Sequence, residues 1–270
     1  MTAEETFELA RDLATVLDIE RLDRDLFRGF NAADSRPWPV LYGGQVAAQA
    51  LRAAGLTVPD GRFPHSLHGY FLRRGRNDRP VLLQVRRDRD GRSFSARNVA
   101  AIQDGEVIFS MVASFQIDED SVEFDDEPRP PRPAPEELTA RPFGLLVEVR
   151  EIAETSMVGP RMKFSDHMWI KAAHPLPDDR LVHACALTYV SDMGSGFGQV
   201  EHPGLAPGGP SLDHSLWFQR PVMLDDWVEL HMHPLKAGGG RGLYHGTIRD
   251  RDGNLAAMLN QEILLRWPSV

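Results

Sequence analysis

Three polar residues stand where the hydrophobic pattern calls for apolar ones. The helical stripe Leu181, Ala184, Cys185 and Thr188 points onward to Asp192. That puts a carboxylate at the C-terminal end of a helix's core face. A negative charge there opposes the helix dipole and so is disposed to take up a proton, as a general base must. On the last strand, Leu255, Ala257, Leu259, Ile263 and Leu265 share a face with Gln261. A buried amide needs partners or costs about 1–3 kcal/mol. Ser211 opens the strand that begins Ser211-Leu212-Asp213-His214. For each residue alone, a solvated or structural role competes with catalysis. Pattern alone does not bring the three together.

Other chemistry finds little support. There is no G-x-S-x-G elbow: Met193 precedes Ser195 where the first glycine should stand. No P-loop or G-x-G-x-x-G occurs, so Gly194–Gly198 reads as a flexible loop. The single cysteine, Cys185, lies on the apolar side of its helix and behaves there as a small hydrophobe. One cysteine also excludes an intrachain disulfide and a multi-cysteine zinc site. His231-x-His233 puts two rings on one strand face, but no H-E-x-x-H is present, and ordinary strand histidines are expected. Arginines gather at Arg73, Arg74, Arg76, Arg79, Arg86, Arg87, Arg89, Arg92 and Arg97. They read either as a solvated sheet edge or as an anion site.

These residues need elements to hold them. Thr2 and Glu5 have capping-box spacing, and Phe7, Ala10, Ala14 and Leu17 continue as one helical stripe. A second helix, about Gln45–Ala54, is thin because of Ala47, Ala48, Ala50, Ala53 and Ala54, and Gly55 reads as its C-cap. Period two follows over His65–Arg74, Pro80–Asp88, Phe94–Gln103 and Glu106–Gln116. The second half repeats the plan: helix Leu181–Ser191, then strands at about Asp213–Gln219, Trp227–His233, Gly242–Asp250 and Leu255–Arg266. His68 falls over His214 in the text of the two halves, and the turn Asp104-Gly105 falls over Asp252-Gly253.

Between the halves, seven of the ten residues from Asp118 to Glu127 are acidic, and Pro128, Pro130, Pro131, Pro133 and Pro135 follow. Charge repulsion and fixed proline φ favour an extended, uncollapsed linker. The expected division is 1–117, a linker over 118–140, and 141–270. The 270 residues carry 30 Lys+Arg against 39 Asp+Glu, a formal charge of −9. That argues against a general nucleic-acid binder. No run of 18 apolar residues exists, so no membrane span is expected. Met1–Glu5 is acidic where a secretory signal would be basic, and Arg266–Val270 carries no peroxisomal or prenylation address. A cytoplasmic protein is the expectation.

The text Leu26-Phe27-Arg28-Gly29, then Tyr42-Gly43-Gly44-Gln45-Val46-Ala47-Ala48-Gln49, resembles the bacterial acyl-CoA thioesterase II (TesB-like) family. So do His65–Arg73, Asp90–Arg97, Tyr189-Val190-Ser191-Asp192, Leu212–Phe218 and Gln261-Glu262. The resemblance covers nearly the whole chain outside the linker. It implies an α+β double hot dog: a long helix wrapped by an antiparallel sheet, twice in one chain. It implies hydrolysis of acyl-CoA to fatty acid and CoA without metal or cofactor, and an oligomer, a dimer or tetramer of double hot dogs. The family's catalytic Asp, Thr and Gln fall on Asp192, Ser211 and Gln261. Ser211 departs from the Thr but keeps the hydroxyl. Met193-Gly194 departs from a larger pair and alters pocket shape. A noncatalytic acyl-CoA-binding protein on the same fold is the rival reading; retention of all three polar residues in register speaks against it.

Overall fold

The computed structural model describes residues 12–31, 40–125, 132–141, 146–152, 157–158, 161–162, 165–198, 200 and 209–266. The first half comprises α1 (Leu13–Leu17), β1 (Glu20–Asp23), β2 (Leu26–Gly29), α2 (Gly43–Gly55), β3 (Arg62–Phe71), β4 (Val81–Asp90), β5 (Phe94–Gln103) and β6 (Glu106–Ile117). The second comprises β7 (Ala140–Arg141), β8 (Val147–Glu151), β9 (Met157–Val158), β10 (Arg161–Met162), β11 (His167–Ala172), α3 (Arg180–Ser191), β12 (Asp213–Phe218), β13 (Val228–Gly238), β14 (Arg241–Arg249) and β15 (Leu255–Leu264). Thr2, Glu5, Phe7 and Ala10 lie outside the described residues. Within them α1 starts at Asp12, whose carboxylate accepts the Thr15 N–H at 2.7 Å, and it buries Leu13, Val16 and Leu17.

Among the described residues one antiparallel sheet of 13 strands runs through both halves, while β9 and β10 pair separately. Its seam is β3 against β12, with Leu67 opposite Leu216. Outward from the seam the order is β6, β5, β4, β2, β1 on one side and β15, β14, β13, β11, β8, β7 on the other. Positions 107–116 of β6 match positions 255–264 of β15 in burial, one by one. Ala113 therefore stands in its half where Gln261 stands in the other. Leu67 pairs with Ala113, and His214 lies opposite Gln261, so Leu67 is the counterpart of His214. The textual match of His68 to His214 is one residue out. It would set an exposed ring over a fully buried one, because a one-residue slip turns every side chain to the other face.

Helices α2 and α3 lie antiparallel in the hollow of this sheet. A Cβ on Gly44 would sit 2.4 Å from the Tyr189 carbonyl, and one on Gly55 would sit 2.4 Å from the Leu181 side chain. Gly55 is thus the last residue of α2, kept small for packing, and Leu56 is the C-cap. The alanines of α2 are buried because strands of the first half pack on one side of the helix and α3 on another. Of the strands, β1, β2, β8 and β11 were not legible as period-two runs; they are short, and β1 is exposed throughout.

The linker is docked rather than uncollapsed. Residues 118–125 are exposed and carry no regular structure, yet Asp118 pairs with Arg180 at 2.6 Å and Asp125 with Arg249 at 3.0 Å. Arg132 pairs with Glu229 at 2.7 Å, and the Pro133 carbonyl accepts Trp169 Nε1–H at 3.0 Å. Arg180 at the start of α3 holds one acidic residue of the run, and Arg249, on the outer face of the second half, holds another, which lessens the repulsion along it.

On that face His167, His231, His233 and His245 form a file of rings, with centroids 3.9, 3.8 and 5.2 Å apart in turn. His167 also meets Glu229 at 2.6 Å. Burial, with the three neighbouring rings adding to it, pushes His231 down from 6.5 to about 3. Between those values the unfolded chain binds a proton that the folded chain refuses. Stability from this site is therefore complete above 6.5 and lost progressively as pH falls toward 3. Denaturant midpoints compared near neutrality and in mild acid should fall on acidification, and His231→Phe should flatten that slope. An unchanged slope in the variant would contradict the assignment.

Candidate active site

Asp192 is the C-cap of α3, with φ −93° and ψ 9°. The helix stripe carries it to the end of the core face, as the spacing predicts, and it is 8% exposed. Ser211 precedes β12 and is anchored by a bridge to Ile263 on β15. Gln261 points inward from β15 and is 1% exposed. The three meet. Gln261 Nε2 donates to Asp192 Oδ1 at 2.7 Å and to Ser211 Oγ at 2.6 Å. Ser211 Oγ donates to the same Oδ1 at 3.2 Å. Both amide protons of Gln261 are thereby used.

The other carboxylate oxygen is set differently. A Cβ on Gly43 would lie 2.7 Å from Asp192 Oδ2. Oδ2 thus faces the first turn of α2, where backbone N–H groups point out of the helix end. The charge that opposes the dipole of α3 sits at the positive end of α2. Sequence reasoning had only the first half of that balance. A hydrogen bond from Tyr42 Oη to the Tyr189 carbonyl at 2.9 Å ties the two helix ends together.

His214 completes the arrangement and was not among the expected site residues. It is fully buried on β12, and its Nδ1 meets Gln261 Oε1. An amide oxygen only accepts, so Nδ1 carries a proton and donates. Nε2 lies 2.8 Å from Ser191 Oγ. With Nδ1 holding Oε1, the amide cannot turn over, and Nε2 of Gln261 stays on Asp192. The signal that exposes Gln261 also exposes His214: it shares parity with buried Leu216, so it is polar on an inward face. Tyr244, opposite Gln261 on β14, is also fully buried, and its hydroxyl has no partner among the described residues. Burial, then the carboxylates of Asp192, Asp166 and Asp213, hold it far above the ordinary phenol value, so it stays neutral.

A cleft of about 530 Å³ opens beside Asp192. Leu41, Val46, Phe71, Ile108 and Phe109 give it an apolar wall, and Arg73 and Arg74 stand on its lining. Gly194 borders it with φ +94°, and a Cβ there would strike Met232 Cε at 2.3 Å, so this point of the wall requires glycine. The arginine cluster of the first half is mostly spoken for. Arg76 pairs with Asp78, Arg79 with Asp104 at 2.5 Å, Arg87 with Asp25 at 2.8 Å, and buried Arg97 with Asp90 at 2.7 Å. Arg74 has no ion pair among the described residues. Cys185 is fully buried in α3, and burial pushes its thiol up to about 12, which leaves no thiolate for chemistry.

Comparison with known proteins identifies the family. Residues 34–116 match the family model of the acyl-CoA thioesterase N-terminal domain, and residues 124–265 match that of the C-terminal domain. Acyl-coenzyme A thioesterase 8 of Homo sapiens is 36% identical, over 94% of this chain and 88% of its own length. Acyl-CoA thioesterase 2 of Haemophilus influenzae is 34% identical, over 96% and 99%. The solved acyl-CoA thioesterase II TesB2 of Mycobacterium marinum is 39% identical with a TM-score of 0.80, covering 95% of this chain and 99% of that one. A hot-dog protein of Alicyclobacillus acidocaldarius at 19% identity and a TM-score of 0.74 supports the fold alone. Both family models and the near full-length relatives place the chain in the acyl-CoA thioesterase family: it is a thioester hydrolase acting on acyl-CoA.

Proposed function

We propose that Asp192, Ser211 and Gln261 are the catalytic residues, with Asp192 as the general base for direct attack of water on the thioester carbonyl. The observation that carries this is the split use of the carboxylate. Oδ1 accepts from Gln261 and Ser211, which fixes the group, and Oδ2 is left toward the cleft. A water held on Oδ2 would lose its proton there as it attacks, a step worth about 10²–10⁴-fold. The carbonyl oxygen, turned toward the start of α2, would meet the backbone N–H groups of Gly43 and Gly44 as charge develops. Among the described residues Ser211 has no histidine positioned to take its proton, since His214 is engaged with Gln261 and Ser191. It holds a hydrogen bond and does not accept the acyl group.

The acyl chain would run along the apolar wall at Val46, Phe71 and Phe109, and CoA phosphates would meet Arg73 and Arg74 at the mouth. Further parts of the reading are that the chain divides into units at 1–117 and 141–270, works in the cytoplasm on fatty acid metabolism, and assembles as a homo-oligomer. No helix of the described residues is long and apolar enough to cross a membrane. Tyr70 and Val112, exposed on the outer face of β3 and β6, support association of copies.

Asp192→Asn should lower kcat by about 10²-fold or more in a folded protein, read as free-thiol release from acyl-CoA. Near-normal turnover would sink the trio. His214→Leu should lower kcat by about 10²-fold with KM little changed, because Gln261 loses its orientation. His214→Asn, whose amide can still donate to Oε1, should recover much of that loss; equal loss in both variants would refute the orienting role. Arg74→Ala should raise KM for acyl-CoA about tenfold and leave kcat alone, and a KM that does not move removes Arg74 from the phosphate site.

A further inference from the structure

The seam between β3 and β12 gives the cleft at Asp192 a counterpart. The run Phe71–Gly75 borders the catalytic cleft, and the run Phe218–Val222, 147 positions on, borders a second cavity. Pro210–Leu212 line the first and Phe63–His65, their counterparts, line the second. On the helices, Gly43 and Val46 of α2 correspond to Arg180 and His183 of α3. The second cavity is thus the same architectural cleft, made by the other pairing of helix end and strand. At about 240 Å³ it has less than half the volume of the first.

Its chemistry is different. Ala113 stands in place of Gln261, Pro64 in place of Ser211, and Gly55, the last residue of α2, in place of Asp192. The carboxylate, hydroxyl and amide of the first cleft are not repeated at these positions, although Asp118, Glu119 and His65 also border the cavity. What it has instead are donors and apolar walls. His183 is 1% exposed, and its Nδ1 accepts the Leu224 N–H at 3.0 Å. Burial keeps the ring neutral, so its one proton is on Nε2. That donor has no hydrogen-bond partner among the described residues, the Pro177 carbonyl being near but outside bonding geometry. A buried donor left unmade is costly, and a ligand oxygen would relieve it.

Two guanidinium groups border the same cavity. Arg180 lies flat over Phe63 at 3.5 Å and already holds a carboxylate, that of exposed Asp118. Arg220 meets Asp250 only at 3.9 Å. Ala184, Leu187, Phe218 and Val222 supply carbon walls. A carboxyl group for His183 and the arginines, joined to a short alkyl chain for those walls, answers all of these features.

We propose that this second cleft is a noncatalytic binding site for a short- or medium-chain fatty acid, the class of product that the enzyme releases. Asp118 holds the place of the ligand carboxylate on Arg180 until an acid displaces it.

The test is titration of the whole protein with octanoate carrying a ¹³C carboxyl, followed by NMR. Two bound carboxyl signals per chain are expected, one from each cleft. Ala184→Phe and, from the loop side, Val222→Trp should each erase one signal while kcat/KM for acyl-CoA stays within about twofold. His183→Asn, which keeps an acceptor for Leu224 but removes the donor, should weaken that same signal about tenfold. 1-Octanol, which lacks the carboxyl, should not displace the octanoate at that site. A single bound signal in the unaltered protein, or two that persist in either filled variant, would overturn the proposal. Hydrolysis measured alongside separates this outcome from a failure of the catalytic assignment.

Discussion

The close antiparallel approach of α2 and α3 is the constraint on which the site depends. Where Gly44 meets the Tyr189 carbonyl, any side chain would push the helices apart. Held together, they bring the positive end of one helix to a carboxylate at the negative end of the other. The Gln261 amide and the Ser211 hydroxyl both meet Asp192 Oδ1 there, and Oδ2 faces the first turn of α2.

Much of this is legible in the residues. Period two marks the long strands, alanine content marks α2, and polar residues on apolar faces mark Asp192 and Gln261. Those signals are local, and they work because each side chain's face follows from its own segment. Where the reading stops, the cause is tertiary. Gly55 looks like a helix stop and is a packing residue, because Leu181 comes from 126 positions away. The acidic linker looks repelled and is docked, because its arginine partners lie on α3 and β14. His214 sits on an inward face in plain view, but its meaning depends on which atom of Gln261 it meets.

Register shows the same limit more sharply. The words of the two halves align best with His68 over His214, while the pleat demands Leu67. Similar letters survive on both faces of a strand, so text similarity tolerates a slip that burial does not. A single inward amide at this position follows from the pleat. Gln261 belongs to β15 alone, and its counterpart Ala113 carries no polar group.

The helix-end glycines that face Asp192 belong to the first half, and the acidic, hydroxyl and amide groups belong to the second. Neither half owns an active site. The helix end and the run after β3 of the first half nevertheless wall the cleft onto which the polar groups of the second half open. Drift in the first half is therefore not free in the way it is for an idle duplicate. Relatives should differ there mainly on the outer sheet face and at the second cleft, and inherit Gly43 and Gly44 together with Asp192 as a single unit.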